Sequence, residues 1–314
     1  MRRYQRGVAL ITAILLVALA TVLAATIGYE NAMTARRGSA TFAFDQSLQV
    51  AMAAEAIAAY ALQQTRKQSP TATYPGQAWS TPYGPVDLVP GVTLEAWLVD
   101  AQGRFNLNNL VAADGTTNPD AVLVFESLLT SLGLEPKWAP MMADWIDSDG
   151  VPNNPDGAED SVYLSQTPPY RAANMFITSS SEILALPGFG RDRYLALAPY
   201  IVALPQGAGI NLCSASIQLL NALGPAGTTN FSNPTSLANS RKEGCFPNQK
   251  EFDALFNTDA PARQKADAMV TLVSNYFTLN TIVTIGTTQF ALYSLLHQEG
   301  DMRVRSIQRS FTAD

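Results

Sequence analysis

One histidine, two cysteines and only 20 lysines and arginines are what this chain of 314 residues has least of. The lone His297 lies in an apolar run near the C-terminus, where it suits a sheet edge better than the role of a base. No Ser/His/Asp arrangement, Cys/His metal spacing or glycine-rich phosphate loop can be assembled, so the sequence argues against an enzyme. The basic residues stand against 26 Asp and Glu, for a net charge of −6, and Arg2, Arg3 and Arg6 account for three of them. Nucleic-acid binding needs a concentrated basic face to displace counterions, and none is present. Proline is missing before Pro70, so nothing in that stretch breaks a helix.

What is present begins at the N-terminus. After Met1–Gly7 comes an uncharged apolar run from Val8 to Gly28. A secretory signal has an apolar core of roughly 7–15 residues, whereas this run is long enough to span about 30 Å of hydrocarbon as a helix. Strong helix formers follow from Glu30 to Lys67, with Leu48, Met52, Glu55, Ala59 and Leu62 at helical spacing. The span is therefore expected to run on into an amphipathic stem, roughly 90 Å long from Val8 to Lys67. Basic residues on the N-terminal flank hold that end in the cytoplasm and send the rest across the inner membrane into the periplasm. There a pair of thiols can oxidise, so a Cys213–Cys245 disulfide is expected over two free cysteines.

A short basic leader ending at Gly7, a hydrophobic segment beginning at Val8 and an unbroken stem resemble the N-terminus of type IV pilins and type II secretion pseudopilins. The resemblance implies cleavage by a prepilin peptidase between Gly7 and Val8 and methylation of the new Val8 amine. The same residues also suit an ordinary inner-membrane anchor, or a signal peptide cut near Ala24 or Ala25. Most members of that superfamily carry glutamate at the fifth mature position, where this chain has Thr12. A carboxylate inside a bilayer costs on the order of 2.5–3.5 kcal/mol unless it finds a partner. In a filament that partner is the amine of the neighbouring subunit, and a subunit with nothing above it has none to neutralise. Thr12 thus points to a filament tip, and in this the chain resembles the K-type minor pseudopilins of type II secretion.

Past the stem, Ser69–Pro90 reads as an irregular Pro/Gly/Tyr-rich connector. Val92–Asp100 alternates as a strand, Ala101–Gly103 as a turn, and Arg104-Phe-Asn-Leu as a second strand. Phe277–Ile285, Phe290–Leu296 and Met302–Phe311 are further strand candidates, whereas Val111–Ser274 is mostly helical in pattern. The expected fold is α+β, in four parts: leader 1–7; transmembrane and stem helix 8–68; a discontinuous pilin-like domain of 69–109 plus 277–314, its antiparallel sheet made from both chain ends; and an inserted α-domain of 110–276. K-type pseudopilins, by the resemblance, have this layout.

Between Asp144 and Asp160 six carboxylates fall within seventeen residues with no Lys or Arg among them. Charges so close repel, and a hard cation among their oxygens removes the repulsion. The loop is not an EF-hand: with Asp147 as first ligand, the sixth position is Pro152 and the twelfth Ala158, so Glu159 comes one place late. A solvated loop whose Asp residues cap turns reads equally from these acids. The run Ala143-Asp-Trp-Ile-Asp-Ser-Asp149 through Gly157-Ala-Glu-Asp160 and Tyr163, followed by Pro169-Tyr-Arg-Ala-Ala-Asn174, looks like the calcium-binding stretch of the K-type family. That resemblance implies a structural Ca²⁺ held by Asp147, Asp149 and Glu159, with Asp160 and the Val151 carbonyl as further candidates.

Glu182–Gly190 and Ile210–Leu220 resemble helix-hairpin-helix modules, but only Arg191 and Arg193 are basic there, beside Glu182 and Asp192, which fits a packing device rather than DNA binding. The function implied is that of a structural minor pseudopilin at the tip of a type II secretion pseudopilus, supporting export across the outer membrane. Its partners would be other minor pseudopilins, the prepilin peptidase, the inner membrane, and the secretin or cargo, with no nucleic acid. The competing reading is a membrane-anchored periplasmic calcium-binding or DNA-binding protein that borrows a pilin-type anchor.

Overall fold

The computed structural model describes residues 5–224, 231–254 and 260–312. Helix α1 (Gln5–Gln68) runs unbroken for 64 residues. Its most apolar stretch has a mean hydropathy of 2.8 and none of it is buried, so by length and composition it can cross a membrane. Burial starts only at Ser47 and continues through Ala51, Ala54, Glu55, Ala58, Leu62 and Thr65, one face of a 3.6-residue period. Of the expected stripe, Glu55 and Leu62 are buried and Leu48 is partly so, but Met52 is 40% exposed, and Ala51, Ala54 and Ala58 face the sheet. Alanines win there because a small side chain lets the helix lie close on the strands.

The chain continues through β1 (Tyr83–Val89), β2 (Val92–Asp100), β3 (Phe105–Asn106), α2 (Pro119–Ser131), α3 (Trp138–Ile146), α4 (Asp160–Tyr163) and α5 (Arg191–Leu197). Then come β4 (Ile201–Val202), β5 (Ile210–Asn211), α6 (Ile217–Ala222), α7 (Pro234–Ser240), α8 (Gln249–Asp253) and α9 (Ala260–Met269). The C-terminal part holds β6 (Val270–Thr271), β7 (Tyr276–Ile285), β8 (Thr288–Gln298) and β9 (Val304–Ser310). Both chain ends build one antiparallel sheet in the order β1-β2-β7-β8-β9. Its seam pairs β2 with β7 without interruption, from Val92 opposite Ile285 to Asp100 opposite Phe277. Leu94, Phe277, Leu279, Val283, Leu292 and Leu296 alternate onto the face covered by α1, as a half-buried sheet requires.

Three expectations need correction. The 69–90 connector contains strand β1, whose residues are almost all exposed; an edge strand buried on neither face shows no apolar period. Arg104-Phe-Asn-Leu is not a strand of the main sheet. Only Phe105 and Asn106 are extended, and they pair in parallel with Ile201 and Val202 of the insertion, so β3 belongs to the helical part. The last strand is shorter than Met302–Phe311, because Met302 takes a left-handed turn at φ 69° before β9 begins.

Between β3 and β6 the helices enclose their own core, where Phe105 stacks on Phe125 at 5.1 Å and Leu107, Leu128, Met142, Tyr163 and Leu219 are fully buried. Asn118 caps α2 by accepting from the Ala121 amide, with Pro119 at the first turn. The two parts meet at a buried carboxylate. Asp100 at the end of β2 accepts from the Gln102 amide, Asn211 Nδ2 (2.8 Å), Ser214 Oγ (2.5 Å) and Ser274 Oγ (2.7 Å). Burial pushes its pKa up, against those four bonds. At the end of α1, Arg66 donates to the Ser274 carbonyl, so sheet, insertion and stem share one junction. Asp100→Ala leaves the Ser214 and Ser274 hydroxyls without their acceptor, while Asn211 keeps the Thr73 carbonyl, and is expected to cost about 3 kcal/mol in urea unfolding, with faster proteolysis near the junction.

Candidate metal centre

The acidic segment folds as a loop between two helices. Asp147 closes α3, its amide bonded to the Ala143 carbonyl, and Glu159 stands just before α4. Asp144, one turn back on α3 and fully buried, folds the loop onto itself: it accepts from the Ala158 amide at 2.6 Å, the Asn153 amide at 3.2 Å, and the Asn153 side chain. Gly157 passes so close that any side chain there would run into the Asp144 carboxylate and the Asn153 backbone.

This folding brings Asp147, Asp149 and Glu159 together, with one oxygen from each lying within 4.8 Å of the others. Asp147 and Glu159 are 1% and 5% exposed, while Asp149 faces solvent. Asp147 Oδ2 accepts from Thr117 Oγ1 at 3.0 Å, and Asn153 in turn donates to Thr117. Asp147 Oδ1 and Glu159 Oε1 are buried with no hydrogen-bond partner. Burial pushes Asp147 up to about 6, with Asp149 and Asp144 adding repulsion against the Thr117 bond. It pushes Glu159 up to about 7, helped by Asp144, Asp147, Asp149 and Asp160. Two buried carboxylate oxygens without partners, in an all-oxygen acidic set, fit a hard divalent cation. Tyr163, whose ring meets Trp145 at 5.1 Å, lies near Asp144 and Glu159: burial first and then their negative charges push its pKa up.

Of the further candidates, Asp160 turns out of the group: it accepts from the Ala172 amide at 3.1 Å and pairs with Arg171 at 3.1 Å. The amide of Val151, the residue whose carbonyl is a further candidate, donates to Asp149 Oδ1 at 2.7 Å. Thr117 and Asn153 are the residues that sequence reasoning missed. Thr117 lies thirty positions before Asp147, and no local pattern links the two.

The remaining sites are placed as follows. Cys213 and Cys245, both buried, form a disulfide with their Cα atoms 4.5 Å apart. Nearby, Arg241 donates to the Ala215 and Leu212 carbonyls and lies over the Phe246 ring, burial pushing its pKa down to about 10. Residues 1–4 of the leader lie outside the described residues. Gly7 and Val8 are within α1, and Thr12 Oγ1 donates back to the Val8 and Ala9 carbonyls at 3.1 and 3.0 Å. The hairpin arginine Arg193 is spent on the Gly188 and Phe189 carbonyls and on Trp138, which is packing.

A family model described as "Type II secretion system (T2SS), protein K" matches residues 103–206, the stretch that contains the acidic loop. Type II secretion system protein K of Pseudomonas aeruginosa is 30% identical over 98% of this chain and 93% of its own length. That of Pectobacterium carotovorum subsp. carotovorum is 31% identical over 99% and 98%. The chain belongs to the type II secretion system protein K family. The protein K fold is also seen in a chain of the GspK-GspI-GspJ complex from the enterotoxigenic Escherichia coli Type 2 Secretion System, with a TM-score of 0.78 at 24% identity, covering 88% of this chain and 100% of that one. In this protein K the disulfide closes a separation of 32 residues and ties 231–254 to β5. Cys213→Ser with Cys245→Ser is expected to lower stability by roughly 3–4 kcal/mol in chemical unfolding.

Proposed function

We propose that this protein K is a non-catalytic minor pseudopilin at the tip of a type II secretion pseudopilus, anchored in the inner membrane by Val8–Gly28 with its bulk in the periplasm. The observation that carries the tip position is Thr12. It puts a neutral hydroxyl, satisfied within its own helix, where filament-shaft subunits carry an acid for the amine of the next subunit. The size of the insertion supports the same reading, because a helical body set on the sheet domain is too bulky for a shaft and is tolerated at a cap. The chain complexed in the E. coli structure suggests other minor pseudopilins as partners. The proposed maturation is cleavage between Gly7 and Val8 with methylation of Val8.

The proposed role of the acidic loop is to hold one structural Ca²⁺ through Asp147, Asp149 and Glu159. The ion supplies positive charge that cancels their repulsion; the protein supplies the loop closure by Asp144 and Asn153 and the orientation of Asp147 by Thr117. The function is tested by co-purifying the full chain in detergent with candidate minor pseudopilins expressed alongside it. A stoichiometric complex and an intact mass starting at methylated Val8 are expected. High copy number along filaments, or a mature N-terminus near Thr26, would overturn the assignment.

A further inference from the structure

We propose that Arg36 and Arg37, with Tyr29, form a clamp for phospholipid phosphates that sets how far α1 stands out of the outer leaflet. This rests on the reading of α1 as the membrane anchor. Among Val8–Phe44 the only charged residues are Glu30, Arg36 and Arg37, and all three are exposed. Neither arginine can find a carboxylate on its own helix. Ion pairs along a helix need a spacing of three or four residues, and those positions hold Ala32, Met33, Thr34, Ser39, Ala40 and Thr41. Glu30 lies seven residues below Arg37, about 10 Å along the axis. Among the described residues both arginines are exposed, and α1 has no buried residue before Ser47.

Their height along α1 identifies the partner. From Val8 to Tyr29 the helix rises about 32 Å, which matches the roughly 30 Å hydrocarbon layer. Tyr29, 66% exposed, therefore falls at the interface, where an amphipathic ring prefers to sit. Arg36 lies two turns farther out on the same helix face, about 10 Å beyond the ring, and Arg37 is its neighbour. Long guanidinium side chains bend back toward the interface, and their planar forks match phosphate oxygens in pairs. The clamp would hold Ser47, the first buried residue of α1, about 27 Å above the hydrocarbon edge, and so set the height from which the subunit meets its neighbours.

The test uses the full mature chain in nanodiscs of phosphatidylethanolamine and phosphatidylglycerol, compared with R36Q/R37Q and R36K/R37K. Two readouts are taken: phosphatidylglycerol molecules retained per chain in native mass spectrometry, and the depth of a spin label at Ala32→Cys. Wild type is expected to retain several-fold more lipid than R36Q/R37Q, with R36K/R37K between them because lysine lacks the fork, and the label is expected to shift depth in R36Q/R37Q. If every chain enters nanodiscs with equal lipid retention and equal label depth, the clamp is wrong while the anchor stands. If none enters, the anchor reading fails and the clamp with it. Arginines shielded only when other minor pseudopilins are added would assign them to a neighbour's carboxylates, which also overturns the clamp.

Discussion

In chelator, the α-domain is expected to lose stability as the pH rises from about 4 to about 7, and calcium is expected to restore it. Asp147 and Glu159 have folded-state pKa values of about 6 and about 7, above the ordinary 3.8 and 4.5. The folded protein therefore holds more protons than the unfolded chain across that window, and stability falls with pH throughout it. A two-unit rise corresponds to about 2.7 kcal/mol per group. Coupling between the two acids and screening on the exposed Asp149 side bring the expected total loss to about 2–3 kcal/mol. Ca²⁺ competes with those protons, so its benefit grows in the same window and reaches about 2.7 kcal/mol at a hundredfold excess over Kd. For a unit of this size that is a rise of roughly 6–10 °C in melting temperature at pH 7.5. Mg²⁺ does much less, because it demands tight octahedral geometry and keeps its waters. Asp147→Asn keeps the acceptor for Thr117 but removes a charge, so in chelator it is expected to be more stable than wild type while losing the calcium response. Identical melting curves in calcium and chelator would reduce the loop to a solvated turn.

Arg309→Ala is expected to cost about 2–4 kcal/mol and to free the C-terminal edge of the sheet. Glu55 on α1 lies under β8 and β9, 9% exposed, and takes Arg309 in a two-pronged pair at 2.7 Å on each side, with Ser294 Oγ at 2.6 Å. Burial pushes the Glu55 pKa up, but Arg309 and Ser294 outweigh it and hold the group below its ordinary value. The pair therefore contributes above the unfolded value near 4.5 and is lost on acidification. Truncating Arg309 leaves a buried carboxylate with only the Ser294 and Ser306 hydroxyls and no counter-charge, which is why the loss exceeds that of a surface ion pair; the half-exposed arginine keeps it below the fully buried case. Glu55→Gln with Arg309→Met removes both charges and is expected to recover most of the loss. Urea unfolding at pH 7 measures both, and hydrogen exchange in β9 reports the freed edge; an R309A protein as stable as wild type would make the pair ornamental.

How far each feature was legible depends on how local its cause is. The α1 helix is written in composition, since absence of proline and a long apolar run act residue by residue. The pairing of β2 with β7 could be expected because alternating strands at opposite chain ends must find partners. Strand β1 could not, since its pairing is decided by β2 and leaves no pattern of burial along Tyr83–Val89. Phe105 and Asn106 looked like sheet residues because two extended residues read alike in either setting; their partner across the insertion, Ile201–Val202, is what assigns them.

The acids divide in the same way. Clustering of Asp147, Asp149 and Glu159 was visible because they share one loop, and the Cys213–Cys245 bridge because only two cysteines exist. Exclusion of Asp160, the closure of the loop on Asp144 and Asn153, and the bond from Thr117 to Asp147 come from contacts between distant segments. So do the junction at Asp100 and the Glu55–Arg309 pair. By itself the sequence determined the long apolar helix, the fold class and the place of the acidic loop, because hydrophobic length, periodicity and charge density are properties of neighbours along the chain. Tertiary structure alone decided which carboxylates converge, which are neutralised by other partners, and which helix face meets the sheet. Those outcomes turn on burial and on hydrogen-bond partners tens to hundreds of residues away, and no local spacing encodes them.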